Sequence, residues 1–144
     1  MSLNYGGERF VPGMHGEGAV DHLHRYVLAR KIATGLDVLD IACGEGYGSA
    51  ILAQVAHKVI GIDINSDTVS HARTNYNADN LRFYHGDCTR LSLEDTCVDL
   101  VVSFETIEHH DQHIAMMREI RRVLRPDGVL LISSPNRPEF NRDR

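Results

Sequence analysis

The sequence predicts a doubly wound α/β domain, a parallel sheet with helices on both faces, and three observations carry that prediction. From Asp37 onward, short apolar runs of strand length alternate with stretches of helical periodicity. The first run, Asp37–Ala42, is apolar and closes on a glycine cluster as a buried strand does, while Leu81–His85 alternates. Every unusual cluster of glycine, carboxylate or histidine directly follows the end of such a run, where open α/β sheets place their ligands.

The elements follow in order. Residues 1–18 are glycine-rich, carry Pro12 and are expected to be irregular, ahead of a domain spanning 19–144. A first helix is read from Val20, Leu23, Val27, Leu28 and Ile32 as its apolar face, with Asp21, His22, Arg25 and Lys31 opposite, ending at Thr34-Gly35. Asp37–Ala42 is a buried strand, Ser49–Val55 a helix and Lys58–Asp63 a second strand. Ser66 or Asp67 caps a helix reaching about Asn77. Leu81–His85 and Val98–Phe104 are the third and fourth strands, and Gln112–Leu124 a helix. Pro126-Asp127-Gly128 then turns into a fifth strand, Val129–Ser133.

A chain of 144 residues suffices for one hydrophobic core and not two. With 42% hydrophobic and 24% charged residues and a net charge of −5, it reads as a soluble domain without the basic footprint of a nucleic-acid binder. Arg118, Arg121, Arg122 and Arg125 have helical spacing and read as a solvated helix face. Cys43, Cys88 and Cys97 show neither CxxC pairing nor finger spacing, which suits a reducing compartment. There is no signal-peptide pattern and no apolar run of membrane-spanning length, so the expectation is a cytoplasmic protein.

The strongest motif is Asp40-Ile-Ala-Cys-Gly44-Glu-Gly46-Tyr-Gly48. Three alternating glycines after a buried strand let the backbone approach a ligand, and the next helix presents its N-terminal amides. A phosphate-binding Walker loop is excluded, because no lysine is present. A dinucleotide loop is disfavoured: Ser49 stands where the third glycine belongs, and Asp40 and Glu45 would repel a pyrophosphate. A ligand bearing an ammonium and a sulfonium meets no such repulsion, which points to S-adenosylmethionine (SAM). Asp63 closes the second strand, where a carboxylate accepts both hydroxyls of a ribose. Asp87 and the Cys88 amide are placed to read an adenine edge.

These residues carry a resemblance. Val38–Gly48, Gly61-Ile-Asp63, Gly86-Asp87, Asp99–Glu105 and Val123–Gly128 resemble the class I SAM-dependent methyltransferases motif by motif and in order, from about Val38 to Asn136. Within that family the chain is similar to the small-molecule branch that includes ubiquinone-type O-methyltransferases. Gly7-Glu-Arg-Phe-Val-Pro12 resembles methyltransferases of bacterial surface-polysaccharide clusters. The resemblance implies a Rossmann-like fold and a cofactor set of Asp40, Ala42, Gly44, Glu45, Gly46, Gly48, Asp63, Ile64, Asp87, Cys88 and Phe104. It implies methyl transfer to a small-molecule or sugar acceptor, with a hydroxyl oxygen as the expected nucleophile.

Glu105-Thr-Ile-Glu108-His109 follows the fourth strand, on the acceptor side. Two carboxylates and an imidazole at this spacing resemble the ExxEH site of small-RNA 2′-O-methyltransferases, where a divalent cation (Mg²⁺ or Mn²⁺) activates the hydroxyl. The same residues also fit a metal-free reading, in which Glu108 favours a helix start and His109 serves as general base beside Glu105. His110 and His113 lie close enough to assist that site, whereas His15, His22, His24, His57, His71 and His85 read as surface residues; of these, His15, His22 and His24, with Tyr5, Arg9 and Phe10, are candidates for a lid. The family's sheet ends in an antiparallel β-hairpin, which this chain stops short of, so it reads as C-terminally truncated with its fifth strand as an open edge suited to a homodimer. A non-catalytic SAM-binding module and an NAD-linked oxidoreductase are the competing functional classes.

Overall fold

The computed structural model describes residues 17–104 and 112–134. Helix α1 (Glu17–Ala33) leads into β1 (Asp37–Ile41), α2 (Tyr47–Ala53), β2 (Lys58–Asp63), α3 (Ser66–Asn75), β3 (Leu81–His85), β4 (Val98–Phe104), α4 (His113–Val123) and β5 (Leu124–Ser133). The five strands form one sheet in the order β3-β2-β1-β4-β5, and every pair is parallel. The doubly wound expectation therefore holds. The chain leaves β1 toward β2 and β3, then returns across β1 to β4, so the switch point lies between β1 and β4.

Each face of the sheet has its own core. Val38, Val59, Leu81, Phe83, Leu100 and Val102 meet Tyr26, Ala29 and Ala33 of α1, Leu52 of α2, and Val69 and Ala72 of α3. On the opposite face Leu39, Ile41, Ile62 and Val101 meet Met116, Ile120 and Val123 of α4. Burying one such aliphatic side chain contributes about 1.5–3 kcal/mol.

Several boundaries and faces differ from expectation. Helix α1 buries Tyr26, Ala29 and Ala33, whereas Leu23, Val27, Leu28 and Ile32 are 42%, 42%, 48% and 44% exposed. The two alanines let the helix approach closely, and the Tyr26 hydroxyl finds a buried acceptor beneath it. The cap of α3 is Asn65, whose side chain accepts from the Thr68 amide at 3.0 Å, rather than Ser66 or Asp67. Helix α2 begins at Tyr47 because Gly46, in the left-handed region at φ 94°, turns the chain into it. Strand β5 begins at Leu124, opposite Val98, and resumes register at Val129 opposite Leu100, so residues 125–128 form a bulge.

The arginines of α4 and its end are not a uniformly solvated face. Arg125 bridges Asp99 at 2.8 Å and Asp37 at 3.2 Å, where the parallel strands begin. Arg122 is bound to Glu119 and Asp95, each at 2.8 Å. Among the described residues no helix is long and apolar enough to cross a membrane.

Candidate functional site

The loop after β1 and the ends of β2, β3 and β4 share the carboxyl edge of the sheet, so its topology collects the predicted cofactor residues on one side. Within that collection the three glycines play different parts. A Cβ on Gly44 (φ +57°) would meet nothing within 4 Å. On Gly46 it would lie 2.7 Å from the Phe83 ring and 2.9 Å from the Ala72 methyl, and on Gly48 it would enter the Tyr26 ring at 2.2 Å. Gly44 thus leaves the loop open to a ligand, while Gly46 and Gly48 are small so that β3, α3 and α1 pack against the turn. Ala42, exposed and at φ 57°, is a non-glycine residue in the left-handed region. Such strain, of order 1–3 kcal/mol, collects at ligand sites.

Asp63 fixes the loop from the neighbouring strand. Its Oδ2 accepts the Gly44 amide at 3.0 Å and its Oδ1 the Asn65 amide at 2.9 Å, while the Cys43 amide donates to the Ile62 carbonyl at 3.0 Å. The carboxylate is 6% exposed, and Ile64 beside it is 65% exposed at the same edge.

Asp40 lies beneath the loop rather than on its surface. It is fully buried, accepts Ser49 Oγ at 2.7 Å, and receives the Tyr26 hydroxyl at 3.1 Å from both carboxylate oxygens. Burial pushes its pKa up to about 7, against the hydrogen bonds from Ser49 and Tyr26, and the nearby Asp63 charge adds to the rise. Burial, followed by the Asp40 charge, holds the Tyr26 phenol well above its usual range. Tyr26 in turn packs edge-on against Phe104 at 5.0 Å and Tyr47 at 5.5 Å, and the Tyr47 hydroxyl lies 2.7 Å from His22 Nδ1. His22 is therefore half-buried in this cluster and not a surface histidine, whereas His24 is exposed.

Glu45 is 4% exposed and faces His71 of α3 at 3.6 Å, so His71 too is a packed residue rather than a surface one. Asp87 is half-buried after β3, its Oδ1 accepting both the Thr89 amide at 2.8 Å and the Thr89 hydroxyl at 2.7 Å. Cys88 is half-buried beside it, and burial followed by the Asp87 charge raises its thiol pKa. At the site end of β4, Ser103 Oγ is buried with no hydrogen-bond partner among the described residues.

Glu105, Glu108 and His109 lie outside the described residues, as do Tyr5, Arg9, Phe10 and His15 of the expected lid. Among the described residues no group of three or more His, Cys, Asp or Glu is arranged to hold a metal ion. Sequence reasoning passed over Tyr26, Phe83 and Ala72, the residues that require Gly46 and Gly48. Ser49 was noticed as a missing glycine, which was the available sign that its hydroxyl has a buried task.

Comparisons with known proteins bear on the family and the fold. The family model described as a methyltransferase domain matches residues 39–132. The chain is 44% identical over 141 residues to a probable S-adenosylmethionine-dependent methyltransferase of Mycolicibacterium smegmatis, covering 96% of this chain and 54% of that protein. It is 31% identical over 148 residues to a fatty-acid O-methyltransferase of the same organism, covering 96% and 54%. Among solved structures, the YcgJ protein of Bacillus subtilis superposes with a TM-score of 0.72 at 27% identity, over 77% of this chain and 50% of that one. The chain thus spans about half the length of the curated relatives it matches. On the motif order, the sheet and these matches together, the chain belongs to the methyltransferase domain family of S-adenosylmethionine-dependent enzymes.

Proposed function

We propose that this chain forms the SAM-binding part of a methyltransferase that acts on a small-molecule acceptor, with a hydroxyl or carboxyl oxygen as nucleophile. The observation that carries the reading is the open loop position of Gly44, tied by its amide to Asp63 at the switch point. That arrangement supports a reading in which a ligand lies against the loop and the Asp63 carboxylate takes its ribose diol. SAM supplies a sulfonium, already a good leaving group, so the protein's part is chiefly alignment.

In this reading Ala42, Gly44, Asp63 and Ile64 line the cofactor, and Asp87 with the Cys88 amide reads the adenine edge. Asp40, Glu45, Gly46 and Gly48 hold the loop's shape from beneath and behind it, and Phe104 closes β4 near the transferred methyl. Glu105 and His109 belong to the acceptor side, with His109 as general base. With Glu108 they are also the candidate cation ligands. A titration showing no uptake of Mg²⁺ or Mn²⁺ would remove the metal and leave the base. Oxygen as the accepting atom draws support from the fatty-acid O-methyltransferase relative. A sugar hydroxyl remains an acceptor to be screened beside carboxylic acids.

A homodimer belongs to the same reading, since β5 ends the sheet among the described residues. A monomeric sedimentation profile would remove the dimer. The function is tested by incubating the protein with SAM and a panel of fatty acids and glycans, and following S-adenosylhomocysteine release. Acceptor-dependent release supports the reading. Cofactor binding without transfer by a protein of the relatives' full length would instead favour a non-catalytic SAM-binding module.

A further inference from the structure

The crossover from β3 to β4, residues 86–97, carries no helix, so something else must fix it. Its inner side is apolar: Leu91 is 6% exposed, and Cys88, Leu93 and Cys97 pack partly buried against the same core as Met116, Ile120 and Val123 of α4. Hydrophobic packing alone is non-directional and does not set the height of a turn to within a hydrogen bond's tolerance.

Directional fixing comes from α4. Arg122 Nη2 donates to the Leu91 carbonyl at 2.9 Å, and its Nη1 donates to the Leu93 carbonyl at 2.7 Å and to Asp95 at 2.8 Å. Glu119 holds the guanidinium through Nε at 2.8 Å and itself accepts the Leu91 amide at 2.8 Å. The Thr96 and Cys97 amides finish the seam on the carbonyls of Arg122 and Val123, at 2.9 and 2.8 Å. The hydrogen bonds that Arg122 donates to Glu119 and then to Asp95 raise its pKa, so the guanidinium keeps its charge.

Immediately upstream sits the turn that carries Asp87. The Arg90 amide donates to the Asp87 carbonyl at 3.0 Å, and Thr89 closes on the Asp87 side chain. The turn enters from Gly86, whose amide donates to the Asp63 carbonyl at 3.0 Å, and it leaves at Leu91. A short closed turn therefore has two tethers, one to the ribose-side strand and one to Glu119 and Arg122.

We propose that Arg122, oriented by Glu119, is a positioning residue for adenine recognition: it holds the exit of the Asp87 turn so that Asp87 and the Cys88 amide meet the adenine edge together. The inference rests on the adenine role given to Asp87 above. It implies that ligand selectivity, and not only stability, depends on a guanidinium that touches no ligand. Lysine cannot replace it, because an ammonium lacks the planar fork that spans two carbonyls and a carboxylate.

The test is calorimetric titration of the protein with S-adenosylhomocysteine and with S-inosylhomocysteine. The second ligand presents an oxygen where adenine presents its amine, and so places an acceptor against Asp87. The parent is expected to prefer adenine by roughly tenfold to a hundredfold, the range for one hydrogen bond to a charged group. Asp87→Ala should narrow the preference, leaving the part that the Cys88 amide draws from the ring N1, which is an acceptor in adenine and carries a proton in inosine. Arg122→Lys and the milder Glu119→Gln should narrow it severalfold while melting curves show them folded. A merely structural role would weaken both ligands alike and leave their ratio untouched. An unchanged ratio in the folded clamp variants, with Asp87→Ala effective, overturns the positioning role. A ratio that Asp87→Ala does not move overturns the adenine reading and the inference with it.

Discussion

Alanine at position 48 would put a methyl carbon 2.2 Å from Cζ of Tyr26 and 2.4 Å from both ring Cε atoms. Helix propensity taken alone predicts the opposite of harm, because Gly48 lies inside α2 and Gly→Ala gains about 1 kcal/mol there. The ring cannot retreat. It is 3% exposed, braced edge-on by Phe104 at 5.0 Å and tethered through its hydroxyl to both oxygens of Asp40. Overpacking of this kind costs about 1–3 kcal/mol, and a braced ring belongs at the upper end. The net expectation for Gly48→Ala is a loss of about 2 kcal/mol. At about 4 °C per kcal/mol this lowers the melting temperature by roughly 8 °C. Gly44→Ala is the control, since it meets no atom within 4 Å and bears only the left-handed penalty of about 1–2 kcal/mol. It should fold, yet bind S-adenosylhomocysteine more weakly, because its methyl would enter the open space in which the proposed cofactor lies. Urea unfolding and calorimetry on both variants separate the two effects. A Gly48→Ala protein as stable as the parent, or more so, would refute the division of labour among the glycines.

Three further outcomes follow from the same network. Tyr26→Phe leaves Asp40 with Ser49 as its remaining hydroxyl donor among the described residues, and should cost about 1–3 kcal/mol in urea unfolding. The folded-state pKa of Asp40 is raised to about 7, so the folded protein holds a proton that the unfolded chain releases. That contribution to stability is fully present below about pH 4, is lost as the pH climbs toward 7, and should vanish from the pH profile of Asp40→Asn. Asp37 and Asp99 have the opposite sign. Asp37 is lowered by His57 and Arg125 despite its burial, and Asp99 by the Asp37 amide and Arg125, so their contribution is lost as pH falls below the ordinary carboxylate range. Arg125→Ala should therefore flatten the acid limb of the same profile while leaving the Asp40-dependent limb unchanged.

What the sequence disclosed follows the range of the forces involved. Strands β2 and β4 have the expected bounds because each centres on apolar residues that both faces of the sheet bury, and parallel pairing needs nothing more local than that. Asp63 was legible because its task, closing a strand beside a glycine loop, is set by chain geometry. The face of α1 was misjudged because periodicity ranks leucine and valine above alanine, yet a close helix approach selects Ala29 and Ala33, and Asp40 selects Tyr26. The separate tasks of Gly46 and Gly48 are decided by Phe83 and Tyr26, far away in the chain. Glu45 carries no sign in sequence that it is covered by His71, and Arg122 none that its partners are backbone carbonyls of residues 91 and 93.

The central claim is that the loop closed by Gly44 and Asp63 holds a SAM-type nucleoside. Titrating S-adenosylhomocysteine calorimetrically into the parent and an Asp63→Asn variant tests it most directly. Asparagine retains one acceptor oxygen but not the two that hold the Gly44 and Asn65 amides. Micromolar binding by the parent and a loss of at least about tenfold in the variant are expected. Equal binding by both proteins would contradict the role of Asp63. No binding by the parent, nor by a protein of the relatives' full length, would contradict the cofactor site itself.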